Sequence, residues 1–188
     1  MSNTFEAATH SYTIDGRKVP SVTQVLNDLI PGFKAGEWYL NRGQAVHACA
    51  ALIAQGVAFD HDPAIDGQVR AVRRFFADVK PTVIAVEKQV YSARYQYAGT
   101  LDLLADINGK RLVIDFKASE SAALPYQLAA YSIAESTYPK GCGVIINEDG
   151  SYKMTKVFDL RLFQQGFLAL LTAYNIRRQA GIKEGEEV

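Results

Sequence analysis

The stretch from Gly99 to Lys117, GTLDLLADINGKRLVIDFK, decides how this chain is read. Two apolar runs flank Asn108-Gly109, a strong hairpin signal, because a two-residue type I′ turn needs positive φ at both of its positions. A two-residue loop also fixes register: Ile107 faces Lys110, Asp106 faces Arg111, and the outward count sets Asp102 opposite Asp115. With Ile107 and Lys110 a hydrogen-bonded pair, Asp102 and Asp115 fall on a non-hydrogen-bonded one, where Cα atoms stand about 4.5 Å apart. Lys117 shares their face, since strand side chains repeat every two residues.

Two carboxylates this close repel by about 1 kcal/mol in water, and by several times more where water is partly excluded. Directly opposed like charges weaken a sheet. A divalent cation would turn that repulsion into attraction, and oxygen-rich sites favour Mg²⁺ or Mn²⁺. Beside such an ion, Lys117 would orient or deprotonate a water, or stabilise a pentavalent phosphate. The competing interpretation is an exposed hairpin end at which the two acids and Lys117 neutralise one another.

Around the hairpin the chain reads as an α/β domain. HSYTIDGRKVP is a small hairpin turning at Asp15-Gly16, and Ser21 with Gln24 forms a capping box that starts a short helix ending at Pro31-Gly32. Helices are expected over about 36–54 and 64–79, then strands at TVIAVEKQVYS, YAGTLDLLADI and KRLVIDFKA. A helix at LPYQLAAYSIAES, strands at GCGVIIN and SYKMTKVFD, and a helix over about 160–178 complete the order. The fold class expected is a mixed central sheet flanked by helices. One domain over 1–188 is expected, with a helical part at about 20–80 and an αβββαβ-type core at about 83–178.

Composition sets limits. Lys+Arg and Asp+Glu both number 20 in 188 residues, so net charge argues for no polyanionic partner and any nucleic-acid site must be local. The two cysteines, Cys49 and Cys142, cannot supply a four-cysteine zinc or iron–sulfur site from this chain alone, and they fit a reducing compartment. The opening MSNTFEAATHSY lacks a signal-peptide pattern, and no apolar run approaches a membrane span, so a cytoplasmic protein without membrane contact is expected.

Three further features bear on the hairpin end. Gln127 and Tyr131 sit four apart on one helical face, and His47 lies just off the apolar stripe of its helix. Gly43 precedes it by four residues and would thin the helix for a close approach. Each of the three is also compatible with an ordinary structural role.

Taken together, RGQAVH, Glu87 in AVEKQVYS, GTLD, VIDFK and YQLAAY resemble the PD-(D/E)XK nucleases, and more narrowly the RecB-type exonuclease branch. PSVT at 20–23, the Gly43-to-His47 spacing, the hairpin, Gln127-x-x-x-Tyr131 and the CGVI strand follow the order of the mitochondrial genome maintenance exonuclease and its phage relatives. The resemblance implies that His47, Asp102, Asp115 and the backbone carbonyl of Phe116 ligate one or two Mg²⁺ or Mn²⁺ ions. Lys117 would be catalytic at the attacking water, and Glu87 would lie near the metal. Gln127 and Tyr131 would shape the site and touch the phosphate backbone, and Ser21 and Thr23 would contact the strand end. Two departures from the pattern stand out. The "PD" pair is Leu101-Asp102 here, and the cysteine set of the iron–sulfur branch is absent, so no iron–sulfur cluster is expected.

The implied activity is a metal-dependent deoxyribonuclease, most simply an exonuclease on single-stranded or frayed DNA ends that leaves 5′-phosphates. It would serve replication, recombination or repair in a bacterial or phage-infected cell, beside a single-strand annealing or replication partner. The alternatives are a structure-specific or restriction-type endonuclease of the same fold, and a catalytically silent DNA-binding module. For the bound strand, Arg70, Arg73 and Arg74 form one helical cluster, with Lys88 and Arg94 near a strand edge. Tyr91, Tyr95 and Tyr97 offer rings for unpaired bases.

Overall fold

The structure is a computed structural model. It describes residues 2–7, 9–30, 37–136 and 140–182, without the side chains of 37–40. Three short antiparallel strands open the chain: β1 (Asn3–Glu6), β2 (Ser11–Ile14) and β3 (Arg17–Val19). The β2–β3 turn places Asp15 and Gly16 at φ of +49° and +77°, as an Asp-Gly hairpin requires. β1 is a strand that the sequence reading leaves out. α1 (Val22–Leu29) begins at the expected capping box, in which Ser21 Oγ accepts from the Gln24 amide and Gln24 Oε1 accepts from the Ser21 amide. The helix stop expected at Pro31-Gly32 lies outside the described residues.

α2 (Glu37–Ala54) and α3 (Asp66–Val79) follow, with a 3₁₀ turn at Pro63–Ile65 leading into α3. The main sheet is then laid down as β4 (Thr82–Ser92), β5 (Tyr97–Ile107) and β6 (Lys110–Lys117). α4 (Leu124–Glu135) is the crossover that lets β7 (Lys140–Ile146) run parallel to β6. β8 (Tyr152–Met154) and β9 (Phe158–Asp159) both pair antiparallel with β7, and α5 (Arg161–Gln179) completes the order.

The expected strand over 151–159 is therefore two. Between its halves Thr155 docks on Gly143 through both main and side chain: its amide donates to the Gly143 carbonyl, and its hydroxyl accepts from the Gly143 amide. A side chain has replaced a ladder rung there, and the strand breaks.

Both faces of the sheet are covered. Val90, Tyr97, Leu101, Leu104 and Val113 pack with α1, α4 and α5 on one side. Leu103, Ala105, Leu112, Ile114 and Phe116 pack with α2 and α3 on the other. The three-stranded sheet closes against β5 through Tyr12, Ile14, Val19 and Ala98. The site described next lies where the sheet departs from regular alternation between these two cores.

Candidate active site

The Asn108-Gly109 turn has φ of +50° and +72°, and the register from it runs as counted, from Ile107↔Lys110 to Leu103↔Ile114. There the pairing stops, one residue short of Asp102 and Asp115, so the two acids are not a paired rung. Leu101 and Leu104 both enter the α1/α4/α5 core, whereas Leu103 enters the α2/α3 core, so alternation slips at Asp102. Opposite it on β4, Glu87 adopts φ of +45°, a left-handed conformation that a non-glycine residue holds only at a cost. The expectation that Asp102 and Asp115 project directly from one regular face is corrected accordingly. A strict ladder gives way to a local break in which the two carboxylates gain different neighbours.

Asp102 Oδ2 accepts from the backbone N–H of Phe116 at 2.8 Å and lies 3.1 Å from His47 Nδ1 of α2. Ligand atoms of His47, Glu87 and Asp102 all lie within 4.8 Å of one another, one nitrogen and two carboxylate donors from three different elements. This trio is a group able to hold a metal ion.

Asp115, 1% exposed, is served from the other side. Its Oδ1 accepts from Gln127 Nε2 at 2.9 Å, and the same Gln127 nitrogen lies 3.0 Å from the Tyr131 hydroxyl. Gln127 and Tyr131 meet because they are four apart on α4, packed over the β6 end. Lys117 Nζ stands 2.7 Å from Asp115 Oδ2, so the second carboxylate oxygen is held by an ion pair.

The electrostatics follow from burial and crowding. The Asp102 carboxylate draws the His47 pKa up to about 9 against the opposing effect of burial. Burial, reinforced by Asp102, pushes Glu87 up to about 7. Burial likewise raises Asp115 to about 6, although Lys117 pulls the other way. For Asp102, burial is outweighed by His47, Lys117 and the Phe116 amide, and its carboxyl stays below the usual range. Burial would lower Lys117, but Asp115 and Asp102 outweigh it and keep the ammonium charged. Burial drives Tyr131 well above its ordinary value, so its hydroxyl stays neutral. The cluster thus holds more carboxylate than its protein cations neutralise, and its donors fit a hard divalent cation.

The other residues singled out in the sequence are less closely tied to this centre. Ser21 is buried, with its hydroxyl used by the cap and in contact with Thr23 Oγ1 at 3.1 Å. Arg73 lies over the Phe59 ring and Arg74 lies 3.6 Å from Asp78, both on the outer side of α3. Tyr97 offers no stacking face: it is fully buried and donates its hydroxyl to the Ala130 carbonyl. Tyr91 and Tyr95 remain half-buried beside Arg94 along a groove of about 570 Å³.

Sequence reasoning missed Gln68, which is buried on α3 and lines a cavity that also touches His47 and Lys117. The signal was a carboxamide at helical spacing among Ile65, Val72 and Phe75, where an apolar residue is the rule.

No family model matches the chain. It is 28% identical to mitochondrial genome maintenance exonuclease 1 of Xenopus tropicalis, over 88% of this chain and 60% of that protein. The chain thus spans under two thirds of the length of this curated relative. Among solved structures, the alkaline exonuclease LHK-Exo of Laribacter hongkongensis aligns with 87% of this chain and 94% of its own, at 13% identity and a TM-score of 0.42. LHK-Exo in complex with dAMP aligns at 13% identity and a TM-score of 0.44, over 87% of this chain and 93% of that one.

Proposed function

We propose that this chain is a metal-dependent deoxyribonuclease that hydrolyses phosphodiester bonds as an exonuclease on DNA ends, single strands being its preferred substrate. The observation that carries the reading is the convergence of His47, Glu87 and Asp102 within 4.8 Å, beside the buried Asp115–Lys117 pair. The likeness to an exonuclease over 88% of the chain supports it.

His47, Asp102 and Glu87 would hold the ion, with Asp115 and the carbonyl of Phe116 completing its surroundings. Mg²⁺ or Mn²⁺ suits such an oxygen-dominated set. When bound, the ion supplies Lewis acidity toward a phosphoryl oxygen and acidifies water.

The chain's own residues do the rest. Lys117 enters the site as an ammonium, because Asp115 and Asp102 stabilise its charge. It therefore serves by orienting the nucleophilic water and by stabilising the negative charge that develops on phosphate, ahead of any role as a base. Gln127 fixes the Asp115 carboxylate through Oδ1, leaving Oδ2 directed at Lys117. The Phe116 amide and His47 do the same for Asp102.

The test incubates end-labelled linear and covalently circular single-stranded DNA with Mg²⁺, Mn²⁺ or EDTA. Stepwise loss of the linear strand with either ion, intact circles, and no loss in EDTA is the expected result. Cleaved circles would make the protein an endonuclease, and inertness toward both would make it a silent binding module. Lys117→Ala should abolish cleavage, and a variant as fast as wild type would remove Lys117 from the mechanism.

A further inference from the structure

A groove of about 570 Å³ runs between the β4–β5 turn, the C-terminal end of α4 and the first turns of α5. It starts at Tyr91, four residues beyond Glu87 on β4, so about 13 Å of extended strand separates it from the metal-binding trio. β4 is an edge strand of the main sheet, and no strand among the described residues covers its outer side. α4 also reaches both places, with Gln127 and Tyr131 at the site and Ser132 at the groove. Between them Lys88 of β4 pairs with Glu135 of α4 at 2.6 Å, so this acid next to the groove is neutralised.

The chemistry of the groove is selective. No carboxylate lines it. Arg94 is exposed on the turn, lies 5.1 Å from the Tyr95 ring centroid, and has no ion-pair partner among the described residues. In a chain whose 20 acids balance its 20 bases, such a groove is a local track on which a polyanion meets no repulsion. Gln164, Gln165 and Ser136 add neutral donors and acceptors. The end of α4 presents carbonyls with partial negative charge, so a phosphate belongs at Arg94 and a sugar or base edge at α4. A flat ring can lie on the Arg94 guanidinium, already held over Tyr95, whatever the base. A polynucleotide brings phosphate and planar ring in every unit, whereas an acidic peptide brings the charge alone.

We infer that this groove holds the uncut part of the substrate strand and keeps single-stranded DNA on the protein between successive cleavages. A released mononucleotide would not reach about 13 Å from the metal, so the occupant is the strand that remains. The inference rests on the nuclease reading and adds a processive hold to it.

The experiment titrates fluorescein-labelled oligo(dT) of increasing length, from a dinucleotide upward, with the full chain in EDTA, and follows anisotropy. Affinity should step up by about tenfold once the strand spans the gap, about four stacked nucleotides at 3.4 Å each, and enters the groove. Arg94→Ala should remove about tenfold in affinity above the step, and should make the slope of log affinity against log salt shallower by about one. Gln165→Glu puts a carboxylate into the groove from α5 and should weaken the same strands by about fivefold, the repulsion of like charges about 4 Å apart in water. The same change at Gln179, exposed at the other end of α5, should not. With Mn²⁺ and an excess of unlabelled trap strand, Arg94→Ala should make fewer cuts per encounter than wild type. Affinity that climbs without a step, a salt slope unchanged in Arg94→Ala, or equal numbers of cuts per encounter overturns the groove and leaves the nuclease reading standing. A wild type that binds no strand of any length overturns the nuclease reading, and the groove with it.

Discussion

Phe116 donates its backbone N–H to Asp102 Oδ2 at 2.8 Å, where a continued β5–β6 ladder would have handed it to the Leu101 carbonyl. A side chain has taken over a rung of the sheet, and this frees the two strand ends to diverge. One exchange thus fixes the Asp102 rotamer, releases Asp115 toward α4, and anchors the backbone that carries Lys117.

That exchange separates two substitutions at position 102. Asp102→Asn keeps an oxygen for the Phe116 amide, whereas Asp102→Ala leaves a buried donor unsatisfied, which costs about 1–3 kcal/mol. Both variants should lose nuclease activity, but in metal-free urea titrations only the alanine variant should lose most of that stability. Equal unfolding midpoints for the two would mean that the bond to Phe116 contributes nothing to the fold.

The crowded acids also set a pH dependence. Glu87 rises from 4.5 to about 7, Asp115 from 3.8 to about 6, and His47 from 6.5 to about 9. In each window the folded chain binds more protons than the unfolded one, so stability falls as pH rises. The His47 contribution is complete below 6.5 and lost by way of about 9, while the two acids lose ground as they ionise between 3.8 and about 7. Metal-free protein should therefore melt at progressively lower temperature from about pH 5 to about pH 9. Mn²⁺ binds the deprotonated donors, so the melting-temperature gain it confers should grow over the same range. A gain that is constant with pH would place the ion elsewhere.

How far the sequence could be read depended on the range of the forces involved. The Asn108-Gly109 turn and the Ser21–Gln24 box act over two to four residues, and both stand as local chemistry dictates. The ladder count from the turn held to Leu103↔Ile114 and failed at the next pair. What broke it was the pull of His47 and Phe116 on Asp102, which is tertiary and has no sequence period. The same holds for Tyr97, whose aromatic character says nothing of the Ala130 carbonyl that claims its hydroxyl. Thr155 breaks a strand that its neighbours would have continued, again through a partner remote in sequence, Gly143.

Gln127 donates to Asp115 Oδ1, so within the proposed site it acts on Asp115 as a positioning residue. Its N–H stabilises the ionised carboxylate, and removing it should raise the Asp115 pKa beyond about 6. Gln127→Leu should therefore move the acid limb of the pH–rate profile upward, beyond lowering the rate by about tenfold, the order expected from one lost hydrogen bond to a charged group. Tyr131→Phe, which leaves the Gln127–Asp115 bond in place, should leave that limb where it is. A limb that moves equally in both would assign the effect to packing.

Arg73 lies over Phe59 and Arg74 beside Asp78, so the part proposed for them in binding rests on charge. Each phosphate contact adds about one unit to the slope of log affinity against log salt. The Arg73→Ala, Arg74→Ala double variant should bind single-stranded DNA more weakly at low salt and with a slope shallower by up to about two. An unchanged slope would remove this side of α3 from the DNA track. Asp78, 3.6 Å from Arg74, makes the loss at 74 the smaller of the two.

Two helical glycines predict opposite signs for one substitution. Alanine is favoured over glycine in a helix interior by about 1 kcal/mol. At Gly43, where a new Cβ meets nothing within 4 Å, that preference is unopposed, and Gly43→Ala should raise the melting temperature. At Gly67 the same Cβ would lie 1.7 Å from the Glu148 carbonyl oxygen, a backbone atom that moves only with the whole β7–β8 turn. Overpacking of this kind costs roughly 1–3 kcal/mol, more than the helix preference returns. Gly67→Ala should therefore melt lower than wild type. A Gly67→Ala protein as stable as Gly43→Ala would show that α3 and the turn are not in contact.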